Sequence, residues 1–172
     1  MNYLITGIAG SGKSTVAEIL RSHGRESLDA DNADYSRWVE RSTGKSLPSR
    51  PSTEDWVNRF DWNWKEDEMR GLLSEDRSKN LFVCGISNNQ SAFYPLFHKI
   101  FLLSVGPDTI GHRLLTRTNN PFGKRPGDLE QTLSWQKEFE EQMKMVGAIV
   151  IDGTKPKDEV AQDIVSYVSN EY

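Results

Sequence analysis

Short apolar runs alternate with amphipathic stretches along the chain. The apolar runs predict five β-strands, at 3–6, 26–28, 81–86, 99–105 and 148–151. The runs at 81–86 and 99–105 are almost continuously apolar, which is typical of parallel strands covered on both faces. Stretches with helical spacing predict helices beginning near 16 and over 91–97, 108–118, 128–146 and 156–168. This alternation predicts an α/β fold, a three-layer α/β/α sandwich around a five-stranded parallel sheet.

The stretch between the second and third strands has a different pattern. Residues 32–47 look partly helical, and the proline-containing segment 47–52 interrupts that pattern. Residues 53–73 predict one long helix, with Ser52 or Thr53 as its N-cap and Glu54 and Asp55 in its first turn.

Aromatic residues are dense in this predicted long helix. Trp56 and Phe60 are four positions apart and would share one face, whereas Trp62 and Trp64 could not both lie on that face. The shared face would serve either for core packing or as an aromatic surface over a substrate.

A phosphate-binding motif lies between the first strand and the first helix. Residues 7–14 read GIAGSGKS and fit the pattern G-x-x-x-x-G-K-[ST], with Thr15 following. Such glycines let successive backbone N–H groups point inward and form an anion site at the start of a helix. The expected nucleotide contacts come from Gly7, Gly10, Ser11, Gly12, Lys13, Ser14 and Thr15. In this motif the lysine reaches the terminal phosphates and the serine hydroxyl ligates Mg²⁺, which predicts a site for ATP and Mg²⁺.

Two carboxylates follow the second predicted strand. Asp29 and Asp31 are two positions apart, so on a strand-like segment both would point to the same side. One could hold a metal-bound water while the other accepts a proton from a substrate hydroxyl. A helix cap or an exposed turn is the alternative. Residues 87–90 and 152–153 also follow predicted strands, so these stretches and the phosphate motif should meet at one cleft.

Basic residues cluster between positions 109 and 127, where there is no acidic residue. Arg113 and Arg117 are four apart on a predicted helix and could lie over an adenine ring and phosphates. Arg125, on the following loop, could swing in to stabilise transferring charge and exclude water. The alternatives are a solvated helix face and an exposed loop arginine.

The overall composition excludes several classes. The net charge of −4 argues against a general nucleic-acid-binding surface, and the local basic cluster suits a small anion better. No apolar run approaches the ~20 residues that span a bilayer. Only six residues precede the motif, so no signal peptide is expected. The single cysteine, Cys84, suits a reducing cytoplasm and excludes an internal disulfide.

These motifs together resemble the small P-loop kinases, nearest to the adenylate kinase and shikimate kinase branch. The resemblance implies a P-loop NTPase fold with strand order 2-3-1-4-5 and a single kinase domain over 1–172. It also implies a substrate-binding subdomain near 32–78 and a lid near 118–127.

The resemblance also implies roles for individual residues. It places Lys13 on the phosphates, Ser14 and Asp29 around Mg²⁺, and Asp31 on the acceptor hydroxyl. It places Arg113 near adenine and Arg117 or Arg125 over the transferring phosphate. The segment 152–156, which ends in Pro156, matches the position of the family's adenine-flanking loop.

The chain departs from the family pattern at the third strand. That strand ends at Cys84 and Gly85 without an aspartate, which leaves Asp29 as the expected metal ligand. Asn88 and Asn89 present amide groups suited to neutral hydroxyls or a base edge. Arg59 could meet an acidic substrate group or lie on the surface of its helix.

The leading functional hypothesis is an ATP- and Mg²⁺-dependent kinase that phosphorylates a hydroxyl of a small molecule. One alternative is a nucleoside or nucleotide kinase, in which Trp56, Phe60 or Trp62 stacks on a base. Another is an ATP-binding regulatory module with weak turnover. The acceptor and the oligomeric state stay open at this stage.

Overall fold

The computed structural model describes residues 1–31, 34–52, 55–118 and 120–169. Strand β1 (Asn2–Thr6) lies at the centre of a parallel sheet. Around it are β2 (Glu26–Asp29), β6 (Leu81–Cys84), β7 (Lys99–Ser104) and β8 (Ile149–Asp152), in the order β2-β6-β1-β7-β8. Numbered along the sequence within this sheet, the order is 2-3-1-4-5, so the predicted topology is confirmed.

Successive residues of β1 pack on opposite faces of the sheet. Tyr3 and Ile5 join one buried cluster with α1 (Lys13–Ser22) and α6 (Lys157–Ser169). Leu4 joins the other with α3 (Glu66–Ser74), the 3₁₀ helix Gln90–Leu96 and α5 (Asp128–Met145). The remaining helix of the main body is α4 (Pro107–Thr116). This arrangement is the predicted three-layer sandwich.

No helix in the described parts of the chain is both long and apolar enough to cross a membrane. Cys84 is a buried free thiol, and burial raises its pKa to about 12, so it packs as a small apolar residue.

The prediction for the segment between β2 and β6 is wrong for most of residues 36–64, whereas α3 (Glu66–Ser74) coincides with the end of the predicted helix 53–73. In place of a partly helical stretch and one long helix, the chain forms a second, antiparallel sheet in the order β4-β3-β5. Its strands are β3 (Ser36–Glu40), β4 (Ser46–Leu47) and β5 (Phe60–Trp64), and α2 is the short helix Trp56–Arg59. Thr53 and Glu54, the proposed cap and first-turn residues, lie outside the described residues.

The alternation of apolar and polar residues along β5 explains why the helical prediction failed there. Phe60, Trp62 and Trp64 alternate with polar residues, and side chains two apart on a strand lie on one face. Trp62 and Trp64 therefore share a face, contrary to the helical interpretation. Trp38 of β3 lies opposite Trp62 in the antiparallel register. This pairing joins residues 24 positions apart in sequence, and a local pattern does not report it.

The second sheet is attached at the carboxyl end of β6. The Asn88 backbone N–H donates to the Trp62 carbonyl at 2.8 Å, and the Asn88 side-chain oxygen accepts from Trp62 N–H at 2.9 Å. Asn89 pairs through its amide with both the N–H and the carbonyl of Trp64, at 2.9 and 3.0 Å. Trp64 is buried against Phe93 and Phe97. One end of β5 thus belongs to the main core, which fixes the position of the other end.

Candidate active site

A cavity of about 940 Å³ lies between the phosphate-binding motif and the second sheet. We call residues 8–10 and 12–15 with Arg113, Arg117 and Lys157 its loop side. The aromatic side consists of Trp38, Arg41, Arg50, Trp56, Phe60, Trp62, Phe122 and Trp135. Asp31 also lines the cavity and contacts both sides. The predicted meeting of separate stretches at one cleft is therefore observed for the motif, Asp31 and residues 86–88 and 90–91, whereas residues 152–153 do not line the cavity.

The phosphate-binding loop has the backbone expected of an anion site. Gly10 and Gly12 have φ values of 84° and 105°, which disfavour residues with a side chain. A Cβ atom on Gly12 would also lie 2.7 Å from the Lys157 ammonium. Helix α1 begins at Lys13, directly after Gly12, so the positive end of the helix faces the loop.

Lys13 lies inside the loop and close to Asp31. Its ammonium donates to the carbonyls of Gly7 and Ile8, at 2.7 and 3.2 Å, and lies 3.8 Å from Asp31 Oδ2. Burial lowers the pKa of Lys13, and the charges of Asp31 and Asp29 partly oppose that effect. A lysine and a carboxylate therefore share one poorly solvated position.

Asp31 lies in the turn after β2 and is held by two N–H donors. Its Oδ1 accepts from the Trp62 indole at 3.3 Å and from the Ile86 backbone at 3.2 Å. Burial raises the pKa of Asp31 above the ordinary carboxyl value, against the opposing charge of Lys13. Gly85 makes room for it, since a Cβ there would lie 3.3 Å from Asp31 Oδ1 and 3.1 Å from the Ala30 Cβ.

Asp29 lies at the buried end of β2 and does not line the cavity, unlike Asp31. Its Oδ1 accepts the Asp31 backbone N–H at 3.1 Å. Asp29 is thus the last residue of β2 and Asp31 lies beyond it, while the charges of both raise the pKa of Lys13. That both carboxylates point to the same side stays a prediction.

The donors near the loop fit Mg²⁺ of the kind that binds together with a nucleotide. The Ser14 hydroxyl lines the cavity, and the Asp29 carboxylate is near enough to raise the pKa of Lys13. Within the described ranges, no three acidic, histidine or cysteine side chains form a metal-binding cluster. Mg²⁺ commonly keeps several waters and takes one or two carboxylates plus substrate phosphates, which is the donor set that Ser14 and Asp29 could complete.

Arg113 and Arg117 both line the loop side but differ in setting. The Arg113 guanidinium donates to the carbonyls of Gly10, Ser11 and Gly153, at 3.3, 3.2 and 3.0 Å. Arg117 follows the end of α4, and its guanidinium donates to the Phe122 carbonyl at 2.6 Å. Burial lowers the pKa of both, and the Asp31 charge opposes this at Arg117. Because α4 ends at Thr116, the predicted shared helix face does not extend to Arg117.

The other predicted site residues divide between the cavity and its surroundings. Those that line the cavity are Gly10, Gly12, Ser14, Thr15 and Asn88. Those that do not are Gly7, Ser11, Arg59, Asn89, Arg125 and Pro156. Arg59 pairs with Glu40 at 3.2 Å, and Arg125 donates to the Pro51 carbonyl at 2.6 Å.

Arg50 lines the cavity, and its partners there are not predicted by the sequence. Together with Arg37, Arg41 and Arg59, it leaves a phosphate-bearing acceptor open at the level of the sequence. The Arg50 guanidinium contacts the rings of both Trp56 and Phe122, 4.8 and 4.6 Å from their centroids. It also makes two hydrogen bonds to the buried Asp128 carboxylate, at 3.1 and 2.7 Å. Because Asp128 is 78 positions away in sequence, spacing along the chain carries no signal for this pair.

Lys157 is a cavity residue that the sequence pattern did not indicate, and it lies on the loop side. Its ammonium donates to the Gly153 carbonyl at 2.7 Å. Burial, followed by the nearby Arg113 charge, lowers the pKa of Lys157 to about 8. Its proximity to Pro156, which was predicted to flank adenine, is the one sequence signal that could have drawn attention to it.

The loop conformation, the parallel sheet order and the cavity at the strand ends define a P-loop nucleotide-binding protein. The sequence matches the AAA domain family model over residues 4–133, and the chain therefore belongs to that family. This match includes the loop, Asp31, Arg113, Arg117 and Arg125. The sequence matches no curated protein.

Solved structures with the same fold include several small kinases. Shikimate kinase from Acinetobacter baumannii, in complex with shikimate, is 19% identical with a TM-score of 0.60, covering 99% of this chain and 94% of that chain. A gluconokinase from Sinorhizobium meliloti 1021 is 20% identical with a TM-score of 0.58, covering 98% of this chain and 91% of that chain. Deoxyadenosine kinase from M. mycoides, with dCMP and dCDP bound, is 17% identical with a TM-score of 0.57, covering 100% of both chains. The predicted fold is thereby confirmed, and these small kinases are among the proteins that share it.

Proposed function

We propose that this chain is an ATP- and Mg²⁺-dependent kinase that transfers the γ-phosphate to a hydroxyl of a small molecule. The observation that carries the proposal is the pairing, in one cavity, of a P-loop lysine with a partly buried carboxylate, 3.8 Å apart. The kinases with the same fold are consistent with this chemistry.

The loop side supplies the groups that a triphosphate requires. Backbone N–H groups of the loop and the start of α1 would bind the phosphates, with Lys13 at the terminal ones. Arg113 and Arg117 add positive charge at the same side, where transfer of a phosphoryl group builds negative charge. Mg²⁺, held by Ser14 and Asp29, would supply charge neutralisation at the β- and γ-phosphates.

Asp31 is the proposed general base. The acceptor oxygen forms a new bond to the γ-phosphorus, the bond from that phosphorus to the β–γ bridging oxygen breaks, and ADP leaves. The hydroxyl proton passes to the Asp31 carboxylate. Trp62 and Ile86 hold Oδ1 in place, and Oδ2 faces the Lys13 ammonium. The raised pKa of Asp31 brings its basicity nearer to that required at neutral pH.

Replacing Asp31 by Asn tests this role. The change keeps the size and the acceptor oxygen of the side chain but removes the base. We expect unchanged ATP affinity and a loss of acceptor-dependent ADP release by roughly 10²–10⁴-fold. In the unaltered protein, turnover should fall as the pH is lowered through the raised pKa of Asp31, because the base becomes protonated.

The matched control is Asp34→Asn, since the Asp34 side chain is exposed and 3.9 Å from Lys65. It should leave both ATP affinity and turnover unchanged. If Asp31→Asn also turns over normally, Asp31 is not the base. Tight ATP binding without stimulation by any acceptor would favour the regulatory-module alternative instead.

A further inference from the structure

Resting on the proposed kinase function, we propose that the acceptor is an uncharged alcohol that carries a flat, conjugated ring close to its hydroxyl. Nucleosides and pyridine alcohols belong to this class. Sugar acids, polyols and phosphorylated acceptors do not.

Most tryptophan residues of the chain lie on the aromatic side of the cavity. Of its five tryptophans, four line the cavity, namely Trp38, Trp56, Trp62 and Trp135. All four are partly exposed, whereas the fifth, Trp64, is 1% exposed in the main core. Large aromatic side chains left accessible in a cavity supply contact area for a ligand, and flat ligands use that area most fully.

Contacts between the rings hold this side of the cavity in one arrangement. The Trp38 ring lies 5.4 Å from that of Trp56 and 5.1 Å from that of Trp62. The Trp56 ring also meets those of Phe122 and Trp135 edge-on, each at 6.2 Å. Because the rings already support one another, little side-chain ordering remains to oppose ligand binding.

The aromatic side reaches directly to the proposed base. The Trp62 indole N–H lies 3.3 Å from Asp31 Oδ1, which joins an aromatic ring to the carboxylate that would accept the proton. An acceptor hydroxyl at Asp31 is therefore next to the Trp62 ring. A ring only a few bonds from the hydroxyl would contact this surface, which explains the proposed position of the ring.

The charges on the aromatic side are already neutralised. Arg50 is paired with Asp128 at 2.7 Å, and Arg41 with Asp61 at 2.8 Å. On the loop side, by contrast, Lys13, Arg113, Arg117 and Lys157 donate to carbonyl groups, and Asp31 lies 3.8 Å from the Lys13 ammonium. Free positive charge thus lies where the triphosphate would bind. A phosphate or carboxylate on the acceptor would therefore compete with Asp128 or Asp61 for these arginines.

The polar groups beside the rings are also engaged within the protein. Gln90 accepts from the Thr6 hydroxyl and the Ser87 N–H, both at 3.3 Å, and donates to the Tyr94 hydroxyl at 2.9 Å. The Asn88 side-chain oxygen accepts from Trp62 N–H. A polyol needs a partner for each hydroxyl it loses from water, and these side chains are poorly placed to provide them.

Three matched compounds separate the parts of the proposal. Cytidine has the ring and the hydroxyls, ribose lacks the ring, and CMP adds a phosphate; pyridoxine, gluconate and shikimate extend the set. Acceptor-dependent ADP release is measured with ATP for each compound. We expect cytidine or pyridoxine to exceed ribose, CMP and both acids in kcat/KM by at least about tenfold, a discrimination typical of one lost favourable group.

Variants of Trp62 test whether the ring surface makes the selection. Trp62→Leu keeps an apolar side chain but removes the ring, and we expect the KM of the ring alcohol to rise about tenfold with the KM of ATP unchanged. Trp62→Phe should recover most of the loss. Tyr167→Leu, at an exposed aromatic residue that does not line the cavity, should change neither constant.

The possible failures are distinguishable. If gluconate, shikimate or CMP is the best acceptor, the inference is overturned and the kinase function stands. If no acceptor stimulates ADP release, the kinase function fails, and saturable quenching of tryptophan fluorescence by cytidine or pyridoxine then decides the ligand class. Quenching that Trp62→Leu weakens and Trp62→Phe retains supports a flat-ring ligand, and no saturable quenching overturns it.

Discussion

The two sides of the cavity are built in different ways. The loop side comes mainly from one continuous stretch, residues 8–15, whose glycines and helix start create an anion site by local backbone geometry. The aromatic side is assembled from β3, β5, the segment around Arg50 and the start of α5, which are distant in sequence. Phosphate binding is thus encoded locally, whereas the surface for the acceptor depends on tertiary pairing, and the two should be separable by mutation.

The largest expected effect is on the aromatic side, at Arg50. Arg50→Met would leave the carboxylate of Asp128, which is 2% exposed, without its charged partner. Breaking a buried pair from one side destabilises proteins by several kcal/mol, so we expect a loss of about 3 kcal/mol in the free energy of unfolding. Denaturant midpoints measure it, and ATP affinity should not change.

Two controls accompany the Arg50 variant. Arg59→Met removes an exposed pair with Glu40 in the same sheet and should leave the unfolding midpoint where it is. Arg50→Met combined with Asp128→Leu should recover much of the lost stability, because no unpaired charge remains. If Arg50→Met weakened ATP binding as well as lowering the free energy of unfolding, the two sides of the cavity would not be independent.

The Asp128 pair also has a pH dependence with a definite sign. Burial opposes its ionisation, yet the hydrogen bonds from Arg50 and from the N–H groups of Gly123 and Arg125 hold its pKa below the ordinary value of 3.8. A carboxylate with a lowered folded-state pKa stabilises the fold above its unfolded pKa. That contribution is lost as the pH falls below about 4, and it should be smaller in the Arg50→Met variant, which keeps only the hydrogen bonds from Gly123 and Arg125.

The loop side and the parallel sheet could be predicted because their signals are local. The motif at 7–14 carries its own conformation, and the apolar runs mark the buried strands. The alternation of Phe60, Trp62 and Trp64 was also present in the sequence, but the spacing of Trp56 and Phe60 favoured a helix. To choose between a strand and a helix for these residues, one must know that β3 pairs with β5. The partner of Arg50 was missed for the same reason, since it lies on α5.

A smaller effect is expected where the second sheet joins the main body. Asn89→Ala removes the partners of both the N–H and the carbonyl of Trp64, a residue in the core. Unsatisfied buried groups cost about 1–3 kcal/mol, so we expect a loss of about 2 kcal/mol in the free energy of unfolding.

Asn88→Ala is the matched comparison for Asn89. It removes one side-chain hydrogen bond at an exposed residue, while the backbone bond from Asn88 to Trp62 persists. Its effect on the unfolding midpoint should be clearly smaller. Equal effects of the two variants would mean that the attachment of the second sheet to the main body depends on residues 88–89 together and not on the Asn89 amide.

The smallest expected effect lies on the loop side, at Lys157. Its pKa of about 8 means that it is charged at neutral pH and loses its proton as the pH rises through 8. Since it lies against Gly12 and lines the cavity, the charge should favour a bound triphosphate. We expect ATP affinity to fall about fivefold between pH 7 and 9, which corresponds to roughly 1 kcal/mol. Titration calorimetry measures the ATP affinity, and the Lys157→Met variant should bind ATP weakly at both pH values. An unchanged pH dependence of ATP binding in that variant would assign the titration to another group. Binding of cytidine, which keeps its charge between pH 7 and 9, should not change over this step in either protein.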